Sequence, residues 1–139
     1  MNYLAHAYLS FNNPNILIGN MMGDWVKGNQ KDKYPLNIQK GIQLHKIIDK
    51  KTDQNSKFQE AVRFLKPAYP LSAPIFMDIF FDYFLANNLI FFNDQNLKTF
   101  TQETYTIIEK NHHHLSVLMF SFFTNMINYD WLYQYKFKH

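Results

Sequence analysis

Residues 35–52 read Pro-Leu-Asn-Ile-Gln-Lys-Gly-Ile-Gln-Leu-His-Lys-Ile-Ile-Asp-Lys-Lys-Thr. Within them Ile38, Ile42, His45, Asp49 and Thr52 recur at spacings of four, three, four and three, the period of one helix face. Proline opens the stretch, where its fixed φ and missing N–H suit a first helical turn. The spacing predicts a helix whose inward face carries a histidine and an aspartate.

The same period continues outward in both directions. Upstream, Tyr3 to Ser10 predicts a short helix, and Asn13-Pro14 caps a second that carries Ile16, Met21, Asp24 and Trp25. Lys27 to Tyr34 is polar, contains Gly28 and reads as a loop. Downstream, Ser56 is positioned to cap a helix with Phe58, Ala61, Val62 and Leu65 inward, closed by Pro67 and Pro70. Ser72 and Pro74 start an apolar helix running to about Leu89. Two more are expected, Leu97 to Lys110 and Leu115 to Asn128, the latter inward through Leu118, Met119, Phe122 and Met126. Tyr129 to Phe137 is a short aromatic end. Strict two-residue alternation and Asn-Gly hairpins are both missing. The expected architecture is an all-α, single-domain helical bundle over residues 1–139.

Composition narrows the function classes. A chain of 139 residues is the size of one domain. With no cysteine it has no disulfide framework, thiolate zinc site or cysteine nucleophile. Its 14 Phe, 9 Tyr and 2 Trp oppose disorder. Four glycines and five prolines oppose a turn-rich β fold and a Gly-rich nucleotide loop. Met1 to Phe11 lacks a basic region and holds His6, so it does not read as a signal peptide. Ile75 to Phe92 is apolar enough to suggest a membrane, but Asp78 and Asp82 would each cost about 2.5–3.5 kcal/mol at a bilayer centre. The expectation is a buried helix of a cytoplasmic protein. A single arginine and no dense basic stripe make nucleic acid a poor partner.

Polar residues stand where the pattern wants apolar ones. Asp78 and Asp82, at i and i+4, share one helix face about 6 Å apart at Cβ. Two carboxylates there repel and resist desolvation. A divalent cation, an exposed face or paired lysines would each resolve this. His45 and Asp49 repeat the spacing, so both reach one metal, or the aspartate orients the imidazole, or His45 is a satisfied core residue. Asp24 follows Gly19-Asn20-Met21-Met22-Gly23 and serves either as a helix-end acid or in a site, and His6 poses the same choice. Oxygen ligands with a histidine or two suit Mn²⁺ or Mg²⁺ in a helical bundle, which would activate water against a phosphoester. His112-His113-His114 cannot all face one ion and read as a solvated loop. Trp131, Tyr133 and Tyr135 read as docking residues rather than a base-stacking platform. Ser10 and Ser72 have no nucleophile-elbow context.

Three blocks together resemble a known family. They are Met1-Asn2-Tyr3-Leu4-Ala5-His6, Gly19-Asn20-Met21-Met22-Gly23-Asp24-Trp25-Val26-Lys27-Gly28-Asn29 and Gly41-Ile42-Gln43-Leu44-His45-Lys46-Ile47-Ile48-Asp49, followed by Thr52-Asp53. With Ala73-Pro74-Ile75, Asp78, Asp82, Phe84 and Leu85, they are similar to the acyl carrier protein phosphodiesterases, a group related to HD-type phosphohydrolases. The likeness is clear over residues 1–90. It implies an HD-phosphohydrolase-like fold and hydrolysis of the phosphodiester joining 4′-phosphopantetheine to a serine of acyl carrier protein. It further implies Mn²⁺, with Mg²⁺ as the alternative. By position, Asp24 would act on the metal or its water, His45, Asp78 and Asp82 would be ligands, and Asp49 and His6 would support them or donate protons. The chain departs from the family in lacking an adjacent His-Asp pair. The family often has histidine where Tyr8, Gln43 and Tyr83 stand, and arginine in place of Ile47. Beside the family the chain is also short, its later helices missing or reduced. Two other readings stay open: a phosphohydrolase of nucleotides or small phosphoesters, and a shortened, inactive module that binds carrier protein.

The charge fits an acidic partner. The net charge is +3, but ten of the 14 basic residues lie between Lys27 and Lys66 with only four acids. Lys27, Lys46 and Lys50 flank the candidate site, where they would steer an acidic carrier protein; an ordinary solvated lysine face is the alternative.

Overall fold

The computed structural model describes residues 1–137, and among these every regular element is helical. The α-helices are α1 (Tyr3–Tyr8), α2 (Pro14–Met21), α3 (Leu36–Gln54), α4 (Ser56–Leu65), α5 (Ala73–Asn87), α6 (Asp94–Lys110), α7 (Val117–Asn128) and α8 (Trp131–Gln134). Short 3₁₀ segments cover Gly23–Trp25, Gly28–Lys33 and His112–His114. The helices enclose one core, with Leu4, Ile18, Met22, Ile38, Ile42, Leu97, Phe123 and Met126 all buried.

The tightest packing is α2 against α3, and two glycines permit it. A methyl group on Gly19 would collide with the carbonyl oxygen of Ile38, and one on Gly41 with that of Ile16. The two backbones therefore touch, which brings Asn20 of α2 level with His45 of α3. Gly23 has a related role, because a methyl there would collide with the His45 ring.

Several helix ends differ from expectation by local chemistry. Asn55, not Ser56, caps α4 through its side chain, accepting from Lys57 and Phe58 N–H. Asn93 caps α6 and starts it at Asp94, ahead of Leu97, and Ser116 caps α7 in the same way. α2 stops at Met21, so Asp24 stands in the following 3₁₀ turn rather than in the helix. The stretch after Lys27, expected as loop, winds into a 3₁₀ segment. Leu118, expected inward, is 73% exposed, and Phe123 fills that role. α5 is buried on one face only: Met77, Asp82 and Ala86 point inward, while Ile75 and Phe84 are largely exposed. No helix among the described residues is long and apolar enough to cross a membrane.

Candidate active site

α1, α2, α3 and the Gly23–Trp25 turn bring His6, Asn20, Asp24, His45 and Asp49 together. The two imidazole rings stack with centroids 4.0 Å apart and planes 13° from parallel. Both are buried, and each is fixed through its Nδ1. His45 Nδ1 lies 2.7 Å from the backbone oxygen of Asn20, which only accepts, so the hydrogen sits on Nδ1. His6 Nδ1 lies 2.7 Å from Asn20 Oδ1. The orientation of that amide is set in turn, since its Nδ2 donates to the His6 carbonyl and to Ser10 Oγ. Nδ1 of His6 therefore donates as well. One asparagine anchors both rings and turns both Nε2 atoms the same way.

They turn toward carboxylates. His6 Nε2 is 3.1 Å from Asp49 Oδ1, and His45 Nε2 is 3.2 Å from Asp49 Oδ2 and 3.0 Å from Asp24 Oδ1. Burial works against a proton on His45, but the hydrogen bonds and charges of Asp24 and Asp49 outweigh it and push the imidazole up to about 9. Burial alone would raise Asp49, yet the two histidines hold it far below the usual carboxylate range. Asp24 is held low chiefly by its hydrogen bond with His45. Its side chain is 63% exposed, which makes it the most open carboxylate of the cluster.

Asp78 and Asp82 use other partners. Asp78 Oδ1 lies 2.9 Å from the Met1 α-ammonium group, which also stands 3.5 Å from Asp49, so Asp78 borders the cluster. Asp82 is fully buried and accepts from the N–H groups of Leu4 and Ala5 in the first turn of α1, the nearest at 2.8 Å. Burial pushes its carboxyl up to about 7 against the pull of those amides. The repulsion expected between these two acids is thus relieved by a terminal ammonium and a helix N-terminus, not by lysines or exposure. Asn20 and the Met1 amine are parts that sequence reasoning did not single out, and Ser10 it weighed only as a nucleophile. The one available signal was a buried-type asparagine inside the apolar run Ile16 to Met22.

The donor set fits a divalent metal. His6, His45 and Asp49 each offer one ligand atom, all within 4.8 Å of one another. Imidazoles tied through Nδ1 to an acceptor, with Nε2 turned inward, have the outer-shell arrangement of metal-binding histidines. Lys27, Lys46 and Lys50 are exposed, the last two each one residue after His45 and Asp49. His112 and His113 are exposed on their 3₁₀ turn, while Trp131, Tyr133 and Tyr135 pack on the core.

A family model described as acyl carrier protein phosphodiesterase matches residues 1–139. Curated relatives of that name are similar to the chain. That of Klebsiella pneumoniae is 39% identical over 88 residues, 63% of this chain and 46% of the relative. That of Pectobacterium atrosepticum is 34% identical over 112 residues, 80% of this chain and 58% of the relative. That of Yersinia pestis is 36% identical over 88 residues, 63% of this chain and 46% of the relative. The chain spans about half the length of the curated relatives it matches. No solved structure matches it.

Proposed function

The chain belongs to the acyl carrier protein phosphodiesterase family, and from that membership and the His/Asp cluster we propose that it hydrolyses the phosphodiester linking 4′-phosphopantetheine to a serine of acyl carrier protein. The observation that supports this most is the convergence of two Asn20-anchored imidazoles on Asp49 and Asp24. His6, His45 and Asp49 would hold a divalent metal, Mn²⁺ or Mg²⁺, with Asp24 and Asp78 at its border. When bound, such an ion neutralises charge on the phosphoryl oxygens and makes water a better nucleophile.

The chain's own residues supply the rest. Asp24, unprotonated at neutral pH and open to solvent, takes a proton from the attacking water. As the water oxygen bonds to phosphorus, the bond from phosphorus to the serine oxygen breaks, and Asp24 returns the proton to that oxygen. The products are the free serine hydroxyl and 4′-phosphopantetheine. Asn20 keeps both rings aimed. Asp82 holds the first turn of α1 in place, and with it His6. Lys27, Lys46 and Lys50 attract the acidic carrier into this mouth, inside the cell's cytoplasm, where carrier protein works. Kinship with HD-type phosphohydrolases belongs to the same proposal and rests on paired His and Asp side chains from separate helices.

A substrate panel tests it. Mn²⁺-loaded protein is expected to release the arm from holo carrier protein and leave nucleoside phosphates intact, and Asp24→Ala to lower turnover at least a hundredfold with an unchanged circular dichroism spectrum. Nucleotide turnover without carrier turnover would overturn the assignment in favour of a small-phosphoester hydrolase. A stable complex with carrier protein and no Mn²⁺-dependent change in it would overturn it in favour of a binding module.

A further inference from the structure

An apolar cavity of about 740 Å³ opens between α1, α3, α4 and α5, walled by Leu9, Ile48, Phe58, Phe81 and Leu85. It begins at the edge of the candidate active site, where Met1 lines the cavity while its amine contacts Asp78 and Asp49. On α3, Asp49 is followed one turn on by Thr52 and two turns on by Asn55, both in the cavity wall. On α5, Asp78 is followed by Phe81, Leu85 and, about three turns on, Asn88, which also line it. Each helix thus leads from an acid of the site to an asparagine. Both asparagines are oriented. Asn55 Oδ1 accepts from the N–H groups of Lys57 and Phe58, and Asn88 Oδ1 from that of Ile90. A backbone N–H only donates, so the accepting atom is the oxygen and Nδ2 is left over. Neither Nδ2 has a hydrogen-bond partner among the described residues. The Thr52 hydroxyl is spent on the Ile48 carbonyl. Lys51 and Lys57 add only donors, and among the described residues no acid lines the cavity.

We infer that this cavity seats the pantetheine arm of the substrate, with Asn55 and Asn88 donating to its two amide carbonyls. The inference rests on the phosphodiesterase reading and deepens it, by placing the part of the substrate that follows the scissile phosphate. That part is bonded directly to the phosphate, so a cavity that opens beside the cluster is where it begins. Its first carbons are a methylene and a carbon bearing two methyl groups, which match Met1, Ala5 and Ile48 at that end. A hydroxyl and two amides joined by methylenes follow, and their carbonyl oxygens need donors in an otherwise apolar wall. The two unpartnered Nδ2 groups supply them farther along both helices. Pockets of about 300–1,000 Å³ accept small molecules, the class of size to which the arm belongs. A plain hydrocarbon tail would give neither Nδ2 an acceptor.

Two-dimensional NMR of the full chain titrated with pantetheine tests the inference without turnover, because pantetheine carries no phosphate to hydrolyse. Saturable shifts are expected at the Nδ2 protons of Asn55 and Asn88, with nuclear Overhauser contacts from the ligand's paired methyl groups to Met1 and Ile48. Asn55→Asp and Asn88→Asp keep the oxygen that the backbone N–H groups use, so the fold is retained, but they replace the donor with a second acceptor. Together they are expected to weaken pantetheine binding about tenfold or more, with circular dichroism unchanged. An affinity equal to the parent's in the double variant overturns the inference, as do shifts confined to residues outside the cavity or no shift at all. So does decanoate entering the cavity where pantetheine does not, which would make it a fatty-acid site. The same shifts on concentrating the protein alone also overturn it, since a second copy would then be the occupant. Arm release from holo carrier protein by the Mn²⁺-loaded chain is scored separately. Release with no pantetheine in the cavity overturns only the arm's seat, whereas pantetheine in the cavity without release overturns the phosphodiesterase reading and keeps the seat.

Discussion

Asn20 sets the direction of both imidazoles, because its backbone oxygen and its amide oxygen each receive one Nδ1–H. Outer-shell partners of this kind typically cost 10–100-fold in metal affinity when removed. Asn20→Ala is therefore expected to weaken Mn²⁺ binding by that factor in calorimetry, and Asn20→Asp to restore part of it through an acceptor at the same place. The protonation of His45 gives a second prediction at this scale. In the metal-free protein its pKa stands at about 9, above the unfolded value near 6.5. The ion pair's contribution is then complete below pH 6.5 and is lost as pH rises through 9. Urea unfolding of the metal-free protein should show stability falling across that window, and His45→Gln should flatten the fall. His45 and Asp49 were legible in the sequence, since four-residue spacing on an apolar face marks both. The partners of Asp78 and Asp82 were not, because a terminal amine and the amides of another helix lie more than 70 residues away in the chain.

Among the elements, the α2–α3 pair decides the site. Gly19 and Gly41 let the backbones meet, and only that approach places Asn20 against the ring of His45. Gly41→Ala would overpack this crossing, a change that generally costs about 1–3 kcal/mol. A melting temperature lower by several degrees is expected, together with weaker Mn²⁺ binding as the rings lose their anchor. A melting curve and metal affinity both equal to the parent's would show that the crossing has slack. The seven longer helices were readable from the period, whereas α8 and the 3₁₀ segments, too short to show one, were not, and helix ends were read less well. The residues that cap α4 and α6 are asparagines, Asn55 and Asn93, and capping depends on which of several adjacent polar side chains finds the free N–H groups. The expectation that α5 is buried failed for a related reason: apolar content alone does not tell which face a helix hides.

For the whole molecule, charge and apolar surface point the same way. The lysines of α3 and of the segment before it are exposed, and on the proposed reading an acidic partner would associate faster for them. Lys46→Glu with Lys50→Glu is expected to raise KM for carrier protein about tenfold, with little change in kcat, and to weaken the dependence of kcat/KM on salt. An equal loss toward a small phosphodiester would place those lysines in the chemistry instead. The central claim is tested most directly by the intact mass of holo acyl carrier protein after incubation with the protein and Mn²⁺. The account predicts a fall to the mass of the apo protein, prevented by chelation and by His45→Gln. A carrier that keeps its phosphopantetheine arm with metal-loaded protein present would contradict it.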